Sequence, residues 1–417
     1  MIRYWKDIIH QASGNTLAQL VGLLGLPILA RVYSPEAFAQ QSIFIQLTVL
    51  LSAFITFRYE YLIPLLKNKC EANYLTRWII IAGFKMTVVF TFIILFLYYA
   101  YAKVYSDYPN GFYYLVPLVS YLVSLSVLFQ HEAQREVEFR LSAISEIIAK
   151  LSYVISGLML YFLNNGLGLL LTTLFSSLSK ILFITRCKMK LVFQGDVNKG
   201  LIQFFRSRAS GLVIANTILT ASSLIPIYVI KTMYGENTLG QFSLVMSTIF
   251  LPSGLIGSAI GSVFYQRMGM LWNQGNYSEM KTLWFETIKK LVIIAIPIYS
   301  FGYLTFPSLY PLLFGENWIL AGDYARLITF SAFFSFIAGP MDRLSLVLGL
   351  SRYLPFINAL RLFLLMMLSV CAVFFNNIDA HEYILFFSIS MSFVYIFDIV
   401  FCGFHLSFKI NKSYEKS

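Results

Sequence analysis

The chain has 417 residues, of which 58% are hydrophobic and only 12% charged, with a mean hydropathy of +0.71 and a formal net charge of +11. Charged residues make up about a quarter of an ordinary soluble domain, so this composition excludes one. Nor does the charge mark a nucleic-acid binder, because it is dispersed over loops and no compact basic domain exists to hold a duplex.

Apolar runs of about twenty residues, enough to cross about 30 Å of hydrocarbon as a helix, recur along the whole chain. They predict twelve spans, at 12–32, 39–63, 78–102, 112–131, 143–163, 166–185, 209–230, 239–263, 288–308, 321–341, 353–376 and 383–406. The expected fold is all-α and integral to the membrane. It has two six-helix lobes, 1–190 and 209–417, joined by a cytoplasmic linker at 191–208.

The basic residues alternate between the gaps. Arg3 and Lys6 precede the first span; Arg58, Lys67, Lys69 and Arg77 flank the second gap, and Arg135 and Arg140 the fourth. The sixth holds Arg186, Lys188, Lys190, Lys199, Arg206 and Arg208; the eighth Arg267, Lys281, Lys289 and Lys290. The tenth has Arg343 and Arg352, and the tail Lys409, Lys412 and Lys416. Against these twenty-three, the odd gaps hold four: Arg31, Lys103, Lys231 and Arg326. Basic residues stay on the cytoplasmic side, so both termini are expected there.

Cys70 and Cys187 fall at cytoplasmic helix ends and Cys371 and Cys402 inside spans, without metal-ligand spacing or a place for a periplasmic disulfide. The first apolar run is too long, and too polar at Asn15, Thr16 and Gln19, for a cleaved signal peptide. Tyr99, Tyr101, Tyr105, Tyr108, Tyr113 and Tyr114 read as an outer interfacial belt.

The halves repeat. Ser13-Gly14 aligns with Ser210-Gly211, Pro27 with Pro226, Arg31 with Lys231, Tyr33 with Tyr234, and Ala39-Gln40 with Gly240-Gln241. Six helices per repeat leave both halves in the same orientation, an arrangement transporters use to place a substrate path between two lobes. The loops are too short for a folded nucleotide-binding domain. "GDVNKGL" from Gly195 lacks the Lys and Ser/Thr of a phosphate loop, and "HEAQR" from His131 lacks the second His of a zinc motif. No cofactor or metal is expected, and uphill transport would draw on an H+, Na+ or substrate gradient.

"ARVYSPEAFAQQSIF" at Ala30–Phe44, followed by "FRYEYLIPL" at Phe57–Leu65, resembles the Wzx-like polysaccharide-biosynthesis exporters. These are flippases of O-antigen and other lipid-linked oligosaccharides, in the multidrug/oligosaccharidyl-lipid/polysaccharide superfamily. Ala39 stands where that family usually has Gly, and Gly240 occupies the equivalent place in the second half. The resemblance implies a MATE-like pair of bundles in a bacterial inner membrane. Its implied substrate is an oligosaccharide on undecaprenyl pyrophosphate, made on the cytoplasmic face and needed on the periplasmic one. It also implies company with polysaccharide polymerase machinery and no enzymatic activity. Arg58 and Glu60 belong to the motif and are gate or coupling candidates.

Six charges fall inside the predicted spans: Lys85, Glu146, Lys150, Lys180, Arg361 and Asp398. Each costs about 2.5–3.5 kcal/mol at mid-bilayer if it faces lipid, so most should line a cavity or pair. All lie toward the cytoplasmic ends of their spans; Lys85, seven residues past Trp78, is about 10 Å deep. Four bases against two acids describe an inward-open positive cavity suited to a pyrophosphate. Lys85, Lys150, Arg361 and Lys180 are the substrate-binding candidates, and Glu146 and Asp398 the coupling or gate candidates. Lys180 lies near enough to the interface to snorkel instead. Glu146 and Lys150, four apart on one helix face, suit mutual neutralisation. Asp398 suits either a pair with Arg361 or a coupling proton. A cation-coupled drug exporter would favour acids over bases. A membrane polymerase or ligase would carry a long periplasmic loop with paired arginines, which is missing.

Overall fold

The computed structural model describes residues 2–66, 68–102, 111–163, 166–188, 199–341, 344–348, 350, 353–375 and 378–414. Regular structure among them is helical: α1 (Ile2–Val32), α2 (Pro35–Thr56), α3 (Lys69–Ala102), α4 (Leu115–Arg135), α5 (Phe139–Met159), α6 (Leu167–Lys188) and α7 (Lys199–Val229). Then follow α8 (Gly235–Ile249), α9 (Leu251–Asn273), α10 (Tyr277–Phe314), α11 (Ile319–Ala338), a single turn α12 (Leu344–Val347), α13 (Tyr353–Phe375) and α14 (Ala380–Tyr414). Tyr105, Tyr108, Lys67, Lys103, Lys190, residues 195–198, Arg343, Arg352 and Lys416 lie outside the described residues. Of the outer tyrosines, Tyr114 meets the Tyr98 ring edge-on at 4.9 Å.

Nine helical stretches among the described residues are long and apolar enough to span a bilayer, and one of them, Ile202–Gly257, covers two expected spans. α10 has 38 residues, about 57 Å at 1.5 Å per residue, and so outruns any hydrocarbon core. Asn276 starts it by accepting the Glu279 N–H at 3.2 Å, and Gly315, at φ 105°, lets the chain leave it. Large apolar side chains such as Phe92, Phe96, Phe162, Leu304 and Phe374 stand exposed, as lipid-facing residues do.

Two expected boundaries move. The second span was expected to run to 63, but α2 stops at Thr56 because Phe57 and Arg58 turn into the left-handed region at φ 51° and 58°. The chain continues as a 3-10 turn, Tyr59–Leu65. The expected eighth span is two helices, broken at Phe250, where Pro252 in the first turn of α9 cannot donate to the preceding helix.

The chain divides into two compact units, Met1–Ala221 and Ser222–Ser417. In the first, α5 packs on α1 and α6, and α4 on α2 and α6. In the second, α11 packs on α8, α10 and α14, and α14 on α13. Three pairings of the first unit, α2–α4, α4–α6 and α5–α6, recur in the second as α8–α11, α11–α14 and α13–α14. Tyr33 donates to the Gly157 carbonyl at 2.7 Å, and its counterpart Tyr234 donates to that of Ile378 at 2.9 Å. Both bonds tie the end of a half's first helix to the end region of its fifth. The glutamine register differs from the expectation. Gln41, not Gln40, is the buried anchor of α2, donating to the Leu169 carbonyl at 3.0 Å. Gln241 anchors α8 by donating to the Asn317 carbonyl at 2.6 Å.

The start of α7, expected as linker, packs on the first unit. Tyr59 donates to the Ile202 carbonyl at 3.2 Å, and Phe205 and Ala209 join the core of Leu62, Ile63, Leu75, Ile79 and Leu128. This contact fixes the 3-10 turn that carries Glu60.

Candidate functional site

In the first unit, the ends of α2, α4, α5 and α6 assemble a network of charged and polar side chains. Lys180 of α6 is buried; its ammonium donates to Glu146 of α5 at 2.5 Å and to Gln130 of α4 at 2.8 Å. This corrects two expectations. Lys180 does not snorkel, because a carboxylate and an amide oxygen satisfy it inside the bundle. Glu146 is neutralised across helices by Lys180, not along its own helix by Lys150. Lys150 is exposed, its stem lying over Gly22 of α1, where an added Cβ would sit 3.6 Å from the lysine Cδ. Lys85 is also exposed, on a face of α3 shared with Phe84, Val88 and Val89.

Arg58 and Glu60 are both buried, and Glu60 is 0% exposed. The Arg58 Nη1 stands 3.5 Å from the Glu60 Oε1, a long pairing, and its guanidinium lies 5.4 Å from the centre of the Tyr61 ring. Arg58 Nε and Glu60 Oε2 are buried with no hydrogen-bond partner. Two successive non-glycine residues in the left-handed region cost about 1–3 kcal/mol each, so strain and unspent hydrogen-bonding capacity coincide at this turn. Tyr61 in turn faces His131 of α4, ring centres 4.9 Å apart.

Burial pushes the Glu60 carboxyl above its ordinary value, and Thr56, the backbone and Arg58 only partly offset this. Between the ordinary and the raised value the folded protein holds more protons than the unfolded one, so stability falls as pH rises through that window. Glu60→Gln should flatten that decline. Thermal unfolding between pH 4.5 and pH 8 checks this, and equal slopes in both proteins would count against it.

In the second unit the charges sit between α13 and α14. Tyr353 donates to Asp398 Oδ1 at 2.7 Å, and its ring stacks on Phe401 at 4.5 Å with the planes 8° apart. The Cys402 thiol approaches the same oxygen at 3.9 Å. Arg361 lies over the Tyr395 ring at 5.6 Å, and its Nε is buried without a hydrogen-bond partner. Among the described residues Arg361 makes no ion pair within 4 Å, so of the two readings of Asp398 the direct pair with Arg361 is not formed, and the guanidinium acts on that carboxylate only through space. Tyr353 supplies that contact instead, a partner that charge counting does not reveal.

Residues 4–272 match the sequence profile of the family described as polysaccharide biosynthesis protein. No curated protein matches. Among solved structures, the chain resembles an inward-facing multidrug resistance MATE family transporter of the MOP superfamily, at 14% identity and a TM-score of 0.67. That match covers 97% of this chain and 96% of the other. A MATE protein in complex with MaL6 gives 14% identity and 0.65 over 98% and 96%. A MOP superfamily transporter from Pyrococcus furiosus, described by the reverse polarity of its binding pocket, gives 15% and 0.57 over 98% and 95%. At these identities the structures establish the fold, which is MATE-like and makes the chain a multi-pass membrane protein. The profile covers more than half of the chain, which therefore belongs to the polysaccharide biosynthesis protein family.

Proposed function

We propose that the chain moves an oligosaccharide carried on undecaprenyl pyrophosphate, an O-antigen or capsule repeat unit, from the cytoplasmic to the periplasmic leaflet of a bacterial inner membrane. Twelve crossings with both termini cytoplasmic fit the alternation of basic residues. One observation carries the choice of an anionic substrate. Both intramembrane acids are engaged, Glu146 by Lys180 and Asp398 by Tyr353, whereas Lys150 is exposed and Arg361 keeps a buried, unpartnered Nε–H. The charge left over is positive. A cation exporter would need the reverse. The Pyrococcus furiosus protein is described as having a pocket polarity that suggests a different function, and polarity is the discriminating feature here as well.

Arginine and lysine suit the two ends of this task differently. A guanidinium presents a planar fork to phosphate oxygens, while an ammonium acts as a mobile point charge. Arg361 is therefore the orienting contact and Lys150 attracts the anion, while Lys85, on a face of α3 with exposed Phe84, Val88 and Val89, is the weaker of the lysine candidates. An H+ or Na+ gradient would supply the driving force, and the polysaccharide polymerase machinery would take the product.

In a clean deletion strain with no second flippase, surface polysaccharide should disappear and lipid-linked repeat units should remain on the inner face, shown by their protection in oriented vesicles. Surface glycan of normal length and amount would exclude this function. The topology has its own check: reporter fusions at Asn198 and Lys412 should behave as cytoplasmic and one at Asn110 as periplasmic. A periplasmic signal at Asn198 would reverse the side of every loop.

A further inference from the structure

Between the Lys180–Glu146 pair and the Arg58–Glu60 pair stands an imidazole that neither uses. His131 Nδ1 lies 3.1 Å from the Gln134 Oε1. An amide oxygen only accepts, so in the neutral ring the hydrogen is on Nδ1 and the lone pair is on Nε2. That Nε2 is buried and has no hydrogen-bond partner. One ring face meets Tyr61, which also carries Arg58. The residue before it, Gln130, accepts a hydrogen bond from Lys180, whose ammonium is within electrostatic reach of the imidazole.

Charged groups reach this neighbourhood from several elements, and Lys180 is the one that acts electrostatically on the imidazole. The 3-10 turn brings Arg58 and Glu60 on the other side of Tyr61, α6 brings Lys180 with Glu146 of α5 upon it, the start of α7 brings Arg206 near Tyr59, and α3 brings Lys69, which pairs with Glu136 at 3.6 Å. α4 itself adds Glu132 and Arg135. A proton taken up at Nε2 would add a positive charge within reach of Lys180. It would leave the Nδ1–H bond to Gln134 unchanged. Repulsion then acts on the side chain that joins α4, α5 and α6.

We propose that His131 is the proton-binding group of the first unit, and that its protonation releases Lys180 from Glu146 and Gln130 and loosens α6 from α5. A proton bound here is a ligand with a differential effect on two packings, which is what a coupling ion must have. The inference rests on the flippase reading only for what the proton drives; the proton site itself does not require a substrate.

The test uses the full chain in nanodiscs without any substrate. Histidine labelled with ¹³C at Cε1 is followed by NMR from pH 5 to pH 8, and the His131 signal is the one lost in His131→Gln. Spin labels at the exposed positions 140 on α5 and 186 on α6, in a background with the native cysteines replaced, report the helix separation over the same range. The His131 signal should titrate with one midpoint, and the label separation should change at that midpoint. The separation should stay fixed in His131→Gln and His131→Asn, and should rest at its low-pH value at all pH in His131→Arg. No titration of His131 between pH 5 and pH 8, or a separation change that survives in both neutral variants, would overturn the proposal. Either result would leave the transport reading to be judged by the deletion strain, which does not depend on His131.

Discussion

Arg361→Ala is expected to remove most of the transport activity, a loss of tenfold or more in the restoration of surface glycan, while the protein still reaches the membrane. Arg361→Lys should keep part of it. A buried donor with no partner costs about 1–3 kcal/mol, and the Nε–H of Arg361 is such a donor. Its guanidinium lies over Tyr395 and makes no direct contact with Asp398, which accepts from Tyr353 and feels Arg361 only through space. On the proposed reading, a phosphate oxygen would accept from this N–H and meet the guanidinium charge. Lysine restores charge but not the fork, hence the intermediate result. Membrane levels by blot separate transport from insertion, and full activity of Arg361→Ala would move the pyrophosphate site elsewhere.

Much of the fold was legible in the sequence because a membrane asks one question of each segment, whether it is apolar for long enough. α4, α5, α6 and α13 appear close to where their apolar runs predict them. Hydropathy does not register backbone conformation. It therefore carried the second span through Phe57 and Arg58, whose left-handed turn ends α2, and ran the eighth across Pro252. The tyrosine pair of the repeat was legible as Tyr33 and Tyr234. The glutamines were not, because Gln40 and Gln41 are adjacent in sequence and only packing tells which one faces the bundle. The same limit applied at the site. Rules for i,i+4 neighbours see one helix at a time, so they joined Glu146 to Lys150, while the true partner comes from α6. His131 carried no motif once a zinc site was excluded. Its signal is an unpartnered ring nitrogen, and that exists only once the helices are assembled.

Lys180→Met should destabilise the protein by about 3–5 kcal/mol, the usual consequence of breaking a buried ion pair by removing one partner. The loss has a specific origin. The ammonium satisfies both Glu146 and Gln130, so its removal leaves a carboxylate and an amide oxygen facing each other inside the bundle. Glu146 retains about a quarter of its side-chain exposure, and water reaching it would place the result toward the lower figure. Glu146→Leu alone strands the lysine and should cost a similar amount. The double variant Lys180→Met, Glu146→Leu removes both charges and keeps apolar volume between α5 and α6, so it should recover most of the stability. Unfolding in detergent by heat or denaturant, with all four proteins compared, measures the coupling directly. Additive losses in the double variant would show that the two side chains act independently. Recovery of stability without recovery of transport would assign the pair to function rather than to holding the bundle together, since an apolar contact would then satisfy the fold and not the mechanism.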